Sequence, residues 1–129
     1  MPSVLIIDDD RLVGEATKIV LQAKGFQVTL AGNGKAGIEA ARTGRFDVAI
    51  VDLFMPDLNG LKVIETIRQS GKSIPMIVAS GFMFGGDELP SMPDFDSMAQ
   101  EAGAVATLYK PFRPDELVRV IEQALNGSA

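Results

Sequence analysis

Three short apolar runs constrain this chain more than any other feature: Val4 to Ile7, Val48 to Val51 and Met76 to Ala79. They are rich in Val and Ile, and polar or glycine-containing segments bound them. Uninterrupted apolar runs of this length suit strands buried on both faces of a parallel sheet, whereas a strand with one wet face would alternate. Phe26 to Ala31 and Val105 to Tyr109 supply two further strands with a fainter pattern.

Helical periodicity fills the intervals. Leu12, Ala16, Ile19, Val20 and Ala23 share one helical face, and Lys24-Gly25 ends that helix. Residues 35–43 fit a short helix built mainly of Ala and Gly with Ile38. Leu61, Ile64 and Ile67 form the next stripe, closed by Ser70-Gly71. Phe95, Met98, Ala99 and Ala102 form another, closed by Gly103. Leu117, Ile121, Ala124 and Leu125 form the last, closed by Gly127 and opened by Pro114, with Asp115 and Glu116 at its positive dipole end. Strand and helix thus alternate five times, which predicts an α/β fold with a five-stranded parallel sheet wound on both faces. No linker, repeat or low-complexity stretch interrupts the pattern, so one domain over residues 1–129 is expected.

Composition narrows the chemistry. Cysteine and histidine are both absent, which excludes disulfides, thiolate or imidazole metal ligands, thiol nucleophiles and histidine bases. The formal charge of −5 argues against direct nucleic-acid binding, because phosphate contacts depend on Lys and Arg. No apolar run approaches a membrane span, and Met1-Pro2-Ser3 lacks the start of a signal peptide. A soluble, cytoplasmic protein without a membrane or nucleic-acid partner is the expectation.

In an open parallel sheet, ligands bind beyond the carboxyl ends of the strands. Asp8, Asp9 and Asp10 follow the first run, Asp52 the third strand, Ser80 the fourth, and Lys110-Pro111 the fifth. One sheet edge therefore collects carboxylates, a hydroxyl and an ammonium. Clustered carboxylates repel one another, and Mg²⁺ relieves that repulsion because it is hard and prefers oxygen. A divalent ion beside a lysine suits a phosphoryl group, whose transfer needs positioning and charge neutralisation, and aspartate can serve as the nucleophile.

At these residues the chain resembles the receiver domains of two-component response regulators. The matching segments are Val4-Leu-Ile-Ile-Asp-Asp-Asp10, Asp52-Leu-Phe-Met-Pro-Asp-Leu-Asn-Gly60, Ile77-Val-Ala-Ser-Gly81, Ala102-Gly-Ala104 and Lys110-Pro-Phe112. The resemblance covers nearly the whole chain and implies a flavodoxin-like (βα)5 fold with strand order 2-1-3-4-5. It implies Asp52 as the phosphoacceptor. Asp8 and Asp9 hold Mg²⁺ together with Asp52 and the backbone carbonyl of Phe54. Ser80 and Lys110 meet the phosphoryl oxygens, and Lys110-Pro111 is expected to be cis. The implied partner is a sensor histidine kinase or phosphotransfer protein. The responding surface is the last two helices and strand five, with a downstream target that the sequence does not name.

The same residues also admit ordinary roles. Asp10 reads as a helix cap, Asp57 and the rest of residues 56–60 as turn chemistry and nothing more, and Met55 as a packing residue. The chain also departs from the family pattern. Where many receivers carry a switching aromatic three residues before the lysine, it has Thr107, so Ser80 and Thr107 are the expected switch positions. Arg113 is a poor N-cap. The stretch between Ser80 and Ala102 is about eight residues longer than a short connection requires. Phe54 and Phe82 are expected to flank the acceptor and restrict attacking water.

Two other classes compete. A phosphorylation-independent pseudo-receiver would bind partners with the same fold, although Asp8, Asp9, Asp52, Ser80 and Lys110 are all intact. An aspartate-nucleophile phosphatase would need a second Asp where Phe54 stands. A flavodoxin would need a hydroxyl-rich loop where three acids stand, and the dinucleotide fingerprint is missing. The expected role is therefore a signalling switch and not an enzyme, either free-standing or part of a larger regulator.

Overall fold

The computed structural model describes residues 2–81, 100–110 and 112–126, with backbone alone at Ser80, Gly81 and Lys110. Strand β1 (Ser3–Ile7) leads through helix α1 (Arg11–Ala23) to β2 (Gln27–Ala31) and α2 (Gly34–Thr43). Then follow β3 (Val48–Asp52), α3 (Gly60–Gln69), β4 (Met76–Gly81), β5 (Ala106–Lys110) and α4 (Pro114–Leu125). All pairings are parallel and the order is β2-β1-β3-β4-β5. Of the helix expected from Phe95, only its last turn at residues 100–102 falls among the described residues.

The sheet divides the core by parity, because successive strand side chains point to opposite faces. Leu5, Ile7, Ala49, Val51 and Val78 pack with Val63, Ile64 and Ile67 of α3 and Ala41 of α2. Val4, Ile6, Val48, Ile50, Ile77 and Leu108 pack with Leu21 of α1 and with Leu117 and Ile121 of α4. Every residue of β3 is buried, as the continuous apolar run predicts for the central strand. The outer strand β2 keeps an alternating pattern. Strand ends shift slightly from the sequence reading: Asp52 and Lys110 are the last residues of their strands, and Ser80 lies inside β4.

Helix α1 corrects an expectation. The face carrying Leu12, Ala16, Ile19 and Ala23 points outward, and Leu12 and Ile19 are 82% and 66% exposed. The buried residues are Gly14, Thr17 and Leu21, with Val20 only half-buried. Gly14 and Thr17 seat the first turns of this face and Leu21 its end, and a Cβ on Gly14 would meet the Leu30 side chain at an ordinary contact distance of 3.7 Å. Thr17 tolerates burial because its hydroxyl donates to the Val13 carbonyl at 2.7 Å.

Caps hold the helix starts. Asp10 Oδ1 accepts from the backbone N–H groups of Leu12 and Val13, as expected, while Asn33 and Asn59 accept from Ala36 and Lys62. Helix α4 has Arg113 at its N-cap without a side-chain cap, and Pro114 supplies its preset φ.

Residues 53–59, the connection from β3 to α3, do more than turn the chain. Gly60 N–H donates to the Leu53 carbonyl at 2.8 Å. A Cβ on Gly60 would lie 2.5 Å from the Asp52 carbonyl oxygen and 2.8 Å from Leu53 Cα. Backbone cannot retreat as a side chain can, so only glycine fits. Asp57 reaches a different element. Its Oδ1 accepts from Gly34 N–H and its Oδ2 from Lys35 N–H, both at 3.0 Å. Helix α2 has no acidic residue in its own first turn, so Asp57 also brings the negative charge its dipole favours. The Gly34 and Lys35 amides hold the Asp57 carboxyl below the usual carboxylate range.

Two outcomes are expected. Gly60→Ala should destabilise the fold by about 1–3 kcal/mol, the usual cost of forcing extra volume into a filled space, read as a lower midpoint in urea at unchanged slope. The depressed Asp57 value means that its stabilisation is complete above the unfolded carboxylate range and lost as pH falls through the folded value. Asp57→Asn should therefore lower Tm at neutral pH, and the gap to wild type should close on acidification. Thermal melts by circular dichroism read this directly, and a gap constant into acid would contradict it.

Candidate functional site

The β1–β3 register brings the acids together. Ile7 pairs with Val51, so the next step along both strands sets Asp8 beside Asp52 at the carboxyl edge of the sheet. Both share the parity of Val4, Ile6, Val48 and Ile50. Asp8 is 9% exposed and Asp52 6%, whereas Asp9, one residue further out, is exposed. Each of the three offers a carboxylate oxygen, and these oxygens lie within 4.8 Å of one another.

Local bonds hold this corner. Asp8 N–H donates to the Ala31 carbonyl at 3.1 Å, tying the end of β1 to the end of β2. Asp8 Oδ1 accepts from Asp10 N–H at 2.9 Å, so the chain folds sharply before α1. Leu53 N–H donates to the Ala79 carbonyl at 2.8 Å, extending the β3–β4 ladder one step past Asp52. Phe54 N–H lies 3.4 Å from Asp52 Oδ1, a long contact.

The donor set suits a hard cation. Two oxygens bound to one Mg²⁺ at 2.0–2.1 Å stand roughly 3 to 4 Å apart, which the cluster can meet with small side-chain movement. The site is open on the Asp9 side, which leaves room for the waters such an ion retains.

The other expected site residues are placed as follows. Ser80 pairs with Tyr109, and Gly81 with Lys110, which sets the backbones of Ser80 and Lys110 at the same sheet edge. Their side chains, and with them any contact to a phosphoryl group, lie outside the described residues. So do Phe82 and Pro111, and hence the expected cis bond and the second flanking ring. Phe54 is 48% exposed and adjoins the acids. Thr107 is half-buried on β5 opposite Val78. Met55 is buried in the core, matching its packing role.

The sequence reading missed Asp57, whose fork onto α2 spans 23 residues and leaves no local trace. It also missed the caps Asn33 and Asn59: the first was given no role and the second only turn chemistry, although each directly precedes a helical pattern.

The comparisons with known proteins bear on the family and the fold. The model of the response regulator receiver domain matches residues 4–122. The DNA-binding response regulator MtrA of Mycolicibacterium paratuberculosis is 32% identical over 123 residues, covering 95% of this chain and 50% of that protein. The structure of the chemotaxis protein CheY4 of Vibrio cholerae superposes with a TM-score of 0.82 at 26% identity, over 97% of this chain and 99% of that one. A CheY-like receiver from Methanospirillum hungatei superposes at 0.85 with 24% identity, over 98% and 95% of the two chains, which speaks for the fold alone. The chain spans about half the length of the curated relatives it matches. With its sheet order, its acidic corner and a family match running nearly end to end, the chain belongs to the response regulator receiver domains of two-component signalling.

Proposed function

We propose that this chain is a phosphoacceptor switch acting in the cytoplasm as a single receiver domain over residues 1–129. Asp52 takes a phosphoryl group from a sensor histidine kinase or phosphotransfer protein. One observation carries the reading: the carboxylates of Asp8, Asp9 and Asp52 converge within 4.8 Å at the ends of adjacent parallel strands.

Asp8, Asp9, Asp52 and the Phe54 carbonyl would hold Mg²⁺. When bound, the ion neutralises charge on the phosphoryl oxygens, the main requirement of this transfer. An oxygen of Asp52 attacks phosphorus in line with the donor. The O–P bond forms as the P–N bond to the donor imidazole breaks, and the imidazole nitrogen leaves with the bonding pair. Asp52 is suited to this role because the backbone holds it in a fixed place while Asp9 stays toward solvent. Ser80 and Lys110 are assigned to the phosphoryl oxygens on the strength of their strand-end positions. Ser80 and Thr107 are assigned to the response. Phe54, half-exposed and two residues after Asp52, is assigned to narrowing the approach of water to that carboxylate.

The donor must also be held. The outward face of α1 begins with Leu12, two residues after the acidic triplet, and continues through Ala16 and Ile19. An exposed apolar stripe beside the acceptor fits a helical surface of the donor protein.

Incubation with acetyl phosphate and Mg²⁺ should add the mass of one phosphoryl group to the intact protein and none to Asp52→Asn. No gain in wild type, or an equal gain in the variant, would overturn the assignment and favour a pseudo-receiver. Leu12→Asp should slow transfer from a phosphorylated sensor kinase about tenfold, the effect of losing one anchor residue. Its labelling by acetyl phosphate should match wild type.

A further inference from the structure

Helix α2 touches both halves of the acidic site. Near its start, a Cβ on Gly37 would lie 2.5 Å from Ile7 Cδ1, so the helix sits directly on the residue that precedes Asp8. At its first residue, a Cβ on Gly34 would lie 2.9 Å from Leu58 Cβ and 3.1 Å from Val63 Cγ2. The same turn therefore lies against residues 53–59, which carry the Phe54 carbonyl. Asp57 makes the polar tie, one carboxylate oxygen to each of two consecutive helix amides at 3.0 Å. At its other end the connection closes on itself through Gly60 N–H and the Leu53 carbonyl.

We propose that Asp57 is a positioning residue for the metal site: it fastens the Phe54-bearing connection to α2, and so sets its distance from the Asp8–Asp9 corner. This rests on the reading that Asp8, Asp9, Asp52 and the Phe54 carbonyl hold Mg²⁺. Asp57 need touch neither metal nor phosphate. Its carboxylate acts through the backbone amides of Gly34 and Lys35, and α2 carries the constraint to Ile7. Residues that orient metal ligands from outside the coordination sphere matter in the same way.

Asn33 supplies the control. It caps the same helix turn by accepting from Ala36 N–H at 2.8 Å, a bond local to that helix start. Asn33→Ala therefore weakens α2 without releasing residues 53–59. Mg²⁺ titration calorimetry well below each Tm, paired with thermal melts, separates the two roles. Asp57→Ala should raise the Mg²⁺ Kd about tenfold, the lower end for losing an orienting partner of a ligand. Asp57→Asn, which keeps one acceptor, should fall between it and wild type. Asn33→Ala should lower Tm and leave the Kd at the wild-type value. Wild type that binds Mg²⁺, with Asp57→Ala binding it equally well, overturns this inference alone. Equal weakening by Asn33→Ala reduces Asp57 to a helix cap and overturns it too. Wild type that binds no Mg²⁺ overturns the site reading and this inference with it.

Discussion

The register between β1 and β3 is the constraint on which the rest depends. Parallel pairing of Ile7 with Val51 places two strand ends side by side, and both strands continue into an aspartate of the same parity. A slip of one residue would exchange the faces of every side chain on the slipped strand. It would also push Val4 and Ile6 onto the wrong helix layer. The apolar residues therefore hold the register, and the register holds the carboxylates together. Repulsion within the acidic corner opposes this arrangement, but it acts at one end of strands whose other residues are almost all buried.

Close approach does the finer positioning. Gly60 lets α3 begin against the Asp52 carbonyl, and Gly37 lets α2 sit on the side chain of Ile7. Each contact brings a helix to within a backbone's thickness of the strand end it supports. Asp57 adds a directional bond to a connection that Leu53 and Met55 already anchor in the core. The turn is thus held by van der Waals contact on one side and charge-assisted hydrogen bonds on the other.

Much of this was legible in the sequence. Val4 to Ile7 and Val48 to Val51 announced buried parallel strands because full burial leaves no alternation to hide. The acids at their ends announced a site because the fold class fixes which sheet edge binds ligands. The outward face of α1 was not legible. Its apolar periodicity is real, but Gly14 and Thr17 seat the helix, and small side chains carry little hydrophobic signal. Asp57 was not legible either, since Pro56-Asp57 also satisfies ordinary turn chemistry and its partners lie on another helix. The local patterns predicted elements well, and they failed where a side chain answers to something distant in sequence.

The misread face of α1 bears on how a donor could reach Asp52. The chain carries a net charge of −5, and Asp8 and Asp9 crowd Asp52, the proposed acceptor. A phosphoryl donor brings negative charge of its own to that corner. Long-range electrostatics therefore work against the encounter, and ordinary salt screens them beyond about 8 Å. Attraction has to come from short-range burial, which needs apolar surface close to the acceptor. Leu12 is 82% exposed and lies four residues beyond Asp8, on a helix whose cap, Asp10, belongs to the acidic triplet itself. On the proposed reading the two features divide the work. The apolar face holds the partner, and the carboxylates act only once a cation has cancelled their charge. This would make docking strengthen as salt screens the repulsion, and transfer sensitive to the metal.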